Sequence, residues 1–313
     1  MTSINAILTN KFNRVGTAIA FAAMLPACVG TASAQPGAQA GGPSAVPAGM
    51  QGSVPDRGSE GASGATLADL VTLSEAADLV IRAVITDQIA LDAERAPDVA
   101  PGFVRLYVEA ETLALIAGSA PVGQGLAYLL DVPLTSRGRA PDLEDREVVL
   151  FAKAVEGRPG SIQLVSPRAQ LDHSPTLETR LRPILTELVG PDRPPRVEGV
   201  KDAFAVPGTL TGESETQIFL RTEGTSPVSI AVLRRPGQPP SWGVSWGEIV
   251  DSSARPPQRD TVRWYRLACS LPETLPESAN LAREPEARAL ASRDYAFVRE
   301  ALGDCPRALT QGD

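Results

Sequence analysis

Gly243-Val244-Ser245-Trp246-Gly247 spells G-x-S-x-G, the pattern that lifts a nucleophilic serine on a turn between a strand and a helix. A serine so placed needs a histidine base and a carboxylate to orient that base. The chain has one histidine, His173, which precedes Ser245 and sits in a His-Ser-Pro turn. The pattern also falls within an alternation of Trp242, Val244 and Trp246 with Gly243, Ser245 and Gly247, which reads as strand. A serine hydrolase using Ser245 is therefore the alternative reading and not the leading one. Asp142, Glu144, Asp145 and Glu147 gather in one loop, but without the glycine punctuation of a calcium loop they read as a solvated turn. Glu213 and Glu215 form a carboxylate pair of the kind used in acid–base work, here at an exposed strand entry. A zinc site wants four Cys or His ligands, and a single His cannot supply a His-rich one. No catalytic residue, metal or cofactor is expected.

The strongest positional bias lies elsewhere. Trp242, Trp246 and Trp264 fall close together, with Arg234, Arg235, Arg255, Arg259, Arg263 and Arg266 around them. Trp242 and Trp246, four apart on a strand, share a face. Trp and Arg dominate interface hot spots, which makes Trp242, Trp246, Arg234 and Arg235 the candidate ligand- or partner-binding residues. In the competing reading the Trp side chains fill a core and the Arg stems cover it. The sequence favours that core reading and leaves the surface reading open.

The amino terminus sets the compartment. Lys11 and Arg14, with no acidic residue, precede an apolar run over Val15–Val29 and an Ala32-Ser33-Ala34 cleavage pattern. These are the three parts of a secretory signal peptide over 1–34. Leu25-Pro26-Ala27-Cys28 also resembles a bacterial lipobox, in which Cys28 would be lipidated and anchor the chain to a membrane. Loss of 1–34 takes the formal net charge from −8 to −10. That acidity argues against nucleic acid, whose phosphates require clustered Lys and Arg. Cys269 and Cys305 then remain, and two cysteines in an oxidising compartment are most simply a disulfide. The expected location is the periplasm or cell envelope, and the expected partner an envelope protein or glycan.

These residues need elements to position them. Residues 35–65 are mostly Gly, Ala, Ser, Pro and Gln, too poor in apolar surface to offset ordering entropy, and read as a disordered linker. A helix is expected from Thr66 to Ala77, followed by a strand at 79–85 with apolar residues on both faces. Val104, Leu106, Val108 and Ala110 alternate with polar neighbours as a half-buried strand. Further strands are expected at 126–132, 148–155 and 162–165. Ser174-Pro175 opens a helix that stops at Gly190-Pro191. After the Pro-rich 191–196 boundary, alternation at 217–221, 228–233 and 242–247 predicts an antiparallel meander. Helices are expected at 261–270 and 284–302, with Gly303 as the cap. The fold class is α+β and mostly β. A small β-barrel-like domain with a helix occupies 66–190, and a β-meander packed with C-terminal helices occupies 197–308.

Ala77-Asp78-Leu79-Val80-Ile81, entering the first strand, resembles the OB-like, netrin-type barrels of exported proteins, a likeness covering 77–166. It lacks the Cys pairs of the animal members, and it implies a fold only. The chain as a whole resembles exported proteins of GC-rich Gram-negative bacteria, and that likeness implies no activity. The leading expectation is an exported, non-catalytic periplasmic or envelope module that binds or interacts with a partner.

Overall fold

The computed structural model describes residues 64–247 and 254–310. The expected signal peptide, nearly all of the expected linker and Cys28 lie outside the described residues.

Helix α1 (Leu67–Ala76) starts where Thr66 accepts from Asp69 N and the Asp69 carboxylate accepts from Thr66 N, a capping box that satisfies two helix-end donors. The chain then builds six strands: β1 (Leu79–Ala90), β2 (Phe103–Gly118), β3 (Gly125–Pro133), β4 (Glu147–Ala154), β5 (Ile162–Leu164) and β6 (Gln170–Asp172). Their order is β3-β2-β1-β4-β5, with β6 pairing β4 beside β5. The named pairs are antiparallel. Helix α2 (Pro175–Val189) follows, capped by the Ser174 hydroxyl with Pro175 in its first turn. It buries Leu177, Leu181, Ile184, Leu185 and Leu188 along one face.

The second sheet comprises β7 (Val197–Pro207), β8 (Ser214–Thr222), β9 (Val228–Arg234) and β10 (Ser241–Ser245), a meander in the order β10-β9-β8-β7. Helices α3 (Val262–Ala268) and α4 (Pro285–Leu302) complete the chain. The α+β, mostly β class is as expected. The barrel is not: the first sheet does not close. Its outermost strands, β3 and β5, meet at one parallel bridge, Ala127↔Ser161. The cause is local. β5 has only three residues, and the chain turns away at Ser166-Pro167 to place β6 on β4, so the rest of the β3 edge receives no strand partner among the described residues.

Two apolar clusters hold the fold. Leu79, Ile81, Ile85, Leu106, Val108, Leu126, Leu130, Val148 and Leu150 fill the inside of the curled first sheet. The opposite faces of β1 and β4 supply Val80, Val149 and Phe151 to a larger cluster, shared with α1, α2, the second sheet, α3 and α4. β4 is thus buried on both faces, as its near-continuous apolar run requires.

Polar clamps tie distant segments across this core. The fully buried Asp69 accepts not only Thr66 N but also the backbone N–H groups of Ala308, Leu309 and Thr310, at 3.0, 3.1 and 2.8 Å. Burial alone would push this carboxyl up; the backbone donors of Ala308, Thr66 and Thr310 outweigh it and hold the group well below the carboxylate range. A carboxyl so depressed contributes stability that is complete above its unfolded value, 3.8, and drains away as pH falls below it. Asp69→Asn is therefore expected to lower the urea midpoint at pH 7, with the gap to the parent narrowing as pH drops below about 4. A gap that stays constant down to pH 2 would show that the Asp69 charge contributes nothing.

Candidate functional site

A concave feature lies along the open seam of the first sheet. Antiparallel neighbours alternate between hydrogen-bonded and non-bonded pairs. Leu134 N donates to Gly102 O and Thr112 N donates to Gln124 O, each at 2.8 Å, so the even-numbered residues of β3 bond to β2. The odd-numbered ones, Ala127, Leu129 and Asp131, turn their N–H and C=O groups outward. Ala127 N accordingly donates to Gly160 O at 2.8 Å. Beyond the Ala127↔Ser161 bridge, no strand pairing among the described residues continues along the β3 edge. The same parity applies to β5: Ser161 O and Val165 N bond to β4, leaving Ile162 and Leu164 to face β3.

A groove of about 650 Å³ runs between these two edges, lined by Arg105, Tyr107 and residues 127–131 on one wall and by Arg158 and residues 161–167 on the other. On the outer face, Ile89 pairs with Tyr107 and Tyr107 with Leu129, one apolar row across three strands. Ile89 is 54 % exposed and Leu129 50 %. Below the row, Arg105 grips Asp131 through two bonds of 2.6 and 2.7 Å and Asp98 through a third side, fixing the β2–β3 wall. Tyr128 points inward, donates to Gln170 Oε1 at 2.7 Å, and has its phenol pushed up by burial, so it is a neutral structural donor.

The residues singled out from sequence fall into separate places. Trp242 is 9 % exposed and belongs to the large apolar cluster. Trp246 packs partly buried against that cluster, with the Arg263 guanidinium 5.9 Å from its ring. Trp264 is buried and donates to Leu302 O at 3.0 Å. Arg234 bonds the fully buried Asp294 at 2.6 Å, and Asp294 also accepts from Thr216. Arg235 is exposed at the rim of a second cleft. The structure therefore brings Arg234 and Arg235 to one cleft and sends Trp242 inward.

Ser245 is buried at the end of β10 and paired with Ser229. The glycine ahead of it has a packing reason. A Cβ at Gly243 would fall on the Ala254 carbonyl, because residues 254–255 cross β10 there and Arg255 O accepts from Val244 N. His173 sits in the first half of the fold, its Nδ1 3.3 Å from Glu147 and its Nε2 3.1 Å from Glu178. In the acidic loop, Asp142 caps Glu144 N and Glu147 pairs with Arg82. No group of three or more metal-ligating side chains occurs among the described residues. Cys269 and Cys305 are disulfide-bonded, with Cα atoms 5.2 Å apart. No helix among the described residues is long and apolar enough to cross a membrane.

No protein-family model matches the chain, and no curated protein matches it significantly.

Proposed function

We propose that this protein is an exported, non-catalytic binding module of the periplasm or cell envelope that takes an extended polypeptide segment along the open edge of β3. The observation that carries the reading is the outward-facing edge of β3 at Leu129 and Asp131, past its single bridge to β5, with the groove beside it. An exposed edge is a template for a further strand, in which backbone hydrogen bonds give affinity and alternate side chains give selectivity. The ligand strand would lay apolar side chains over Leu129 and Tyr107 and an acidic one toward Arg158, which pairs with no described carboxylate.

The strand order, with its parallel contact between β3 and β5, supports reading 77–166 as an opened OB-like barrel. In OB folds ligands lie on the β2–β3 face, the side on which this groove opens. The disulfide fits export to an oxidising compartment. The intact mass of protein taken from its native envelope distinguishes cleavage after Ala34 from lipidation at Cys28.

Leu129→Pro tests the site. It deletes an N–H that points away from β2, and proline is tolerated on edge strands when its missing donor faces outward. Twelve-residue peptides selected by display on the full-length protein should bind the parent and lose about tenfold or more with Leu129→Pro. Binding should slow hydrogen exchange at the Leu129 and Asp131 amides. Selected peptides that bind the variant equally, or that protect other amides, would refute the edge as the site.

A further inference from the structure

We propose that the cleft at the hairpin end of the second sheet is a separate small-molecule site for an apolar amino acid or dipeptide bound as its zwitterion. The cleft measures about 640 Å³, within the usual range for ligand pockets. Phe204 and Val206 of β7 and Leu233 of β9 form its apolar walls. On the strand between them, Gln217 is 8 % exposed and its Nε2 donates to Glu215 Oε1 at 2.6 Å. Its Oε1 has no hydrogen-bond partner. A buried carbonyl oxygen left without a donor costs stability, and such groups are rare in folded proteins unless they serve something else.

That oxygen is closed to solvent in this structure, so a ligand ammonium reaches it as the Gln217 amide turns toward the cleft, beside the Glu215 carboxylate that already lines it. An ammonium group, with three donors and a positive charge, satisfies both. Arg234 does not oppose the charge, because its guanidinium is matched by the buried Asp294. Arg235, diagonal to Glu215 across the β8–β9 pairing, is exposed at the mouth and pairs with no described carboxylate. It is suited to the carboxylate end of the ligand. An ammonium at one pole, a carboxylate at the other and an apolar body between them define the class. The cleft is independent of the β3 edge and uses none of its residues.

Calorimetry on the full-length protein with L-phenylalanine and L-leucyl-L-leucine tests the site, with N-acetyl-L-phenylalanine lacking the ammonium and L-phenylalaninamide lacking the carboxylate as controls. At least one zwitterion should bind, and acetylation should weaken it by about tenfold or more. Glu215→Gln and Arg235→Ala change exposed side chains and should keep the parent melting temperature. The first should weaken the zwitterion, and the second should equalise L-phenylalanine and its amide. Gln217→Met should lose binding while keeping or raising the melting temperature. The proposal fails if neither zwitterion binds at about 10 mM, if acetylation is without effect, or if Glu215→Gln binds like the parent.

Discussion

Glu75→Ala is expected to cost about 3–5 kcal/mol of folding stability, the range found when one partner of a buried ion pair is removed. Arg266 of α3 has a side chain only 3 % exposed, and Glu75 of α1 one 9 % exposed. The two form a forked pair, Nη1 to Oε2 at 3.0 Å and Nη2 to Oε1 at 2.5 Å, while Arg266 Nε reaches Pro194 O. Burial pushes the Glu75 carboxyl up, but the Arg266 hydrogen bonds and charge, with help from Arg196, bring it below its ordinary value. Deleting the carboxylate leaves a guanidinium in the core beside the Pro194 carbonyl and the Tyr265 ring, with its charge unmatched there. Arg193 and Arg196, roughly half exposed, stay at the rim and their loss should be small. The control is Glu75→Ala combined with Arg266→Met. If the cost arises from the stranded charge, the double variant should recover much of it; if the single and double variants unfold at the same urea concentration, the cost arises from lost packing instead.

Opening the Cys269–Cys305 bridge is expected to cost about 4 kcal/mol in the chain-entropy view, because the bridge spans 36 positions of sequence. For a chain of this size that corresponds to a fall in melting temperature on the order of 10 °C. The bridge fastens the end of α3 to the segment after α4, and that segment goes on to give Asp69 its three backbone donors. It also carries Arg307, which donates to Thr72 of α1 at 2.8 Å. Reduction therefore frees a tail that closes α1, so hydrogen exchange should rise first at 66–72 and 305–310. Thermal melts with and without reductant, repeated on Cys269→Ser/Cys305→Ser, measure the effect. Identical melts would mean that the tail is held without the bridge.

Where the sequence was readable, local pattern and tertiary need agreed. Thr66 with Asp69 and Ser174 with Pro175 announce helix starts by short-range hydrogen bonding, and Val104 to Ala110 announces a strand by simple alternation. β7 had no such voice: bulges at 197–199 and 200–202 place its buried apolar side chains Val197, Val200, Ala203 and Ala205 at spacings of three, three and two. β6 has three residues, too few for any period. The clamps are invisible for another reason. Glu75 and Arg266 lie 191 residues apart, and Asp69 reaches Thr310 across 241. The candidate edge was hidden most completely, since it consists of pairing that does not occur between strands far apart in the chain. The Trp–Arg stretch was legible as composition, but composition does not say which way a side chain points. Trp242 points into the core and Arg235 out of it.

One carboxylate receives both Thr66 N and Thr310 N. The two ends of the described fold therefore lie within the span of a single side chain. Such neighbouring ends make a fold a good subject for circular permutation. A few glycine and serine residues joining 310 to 64, with new ends opened in the exposed 135–139 turn, would preserve every strand pairing. The same adjacency would let the domain be spliced into a surface loop of another protein without prying that loop apart.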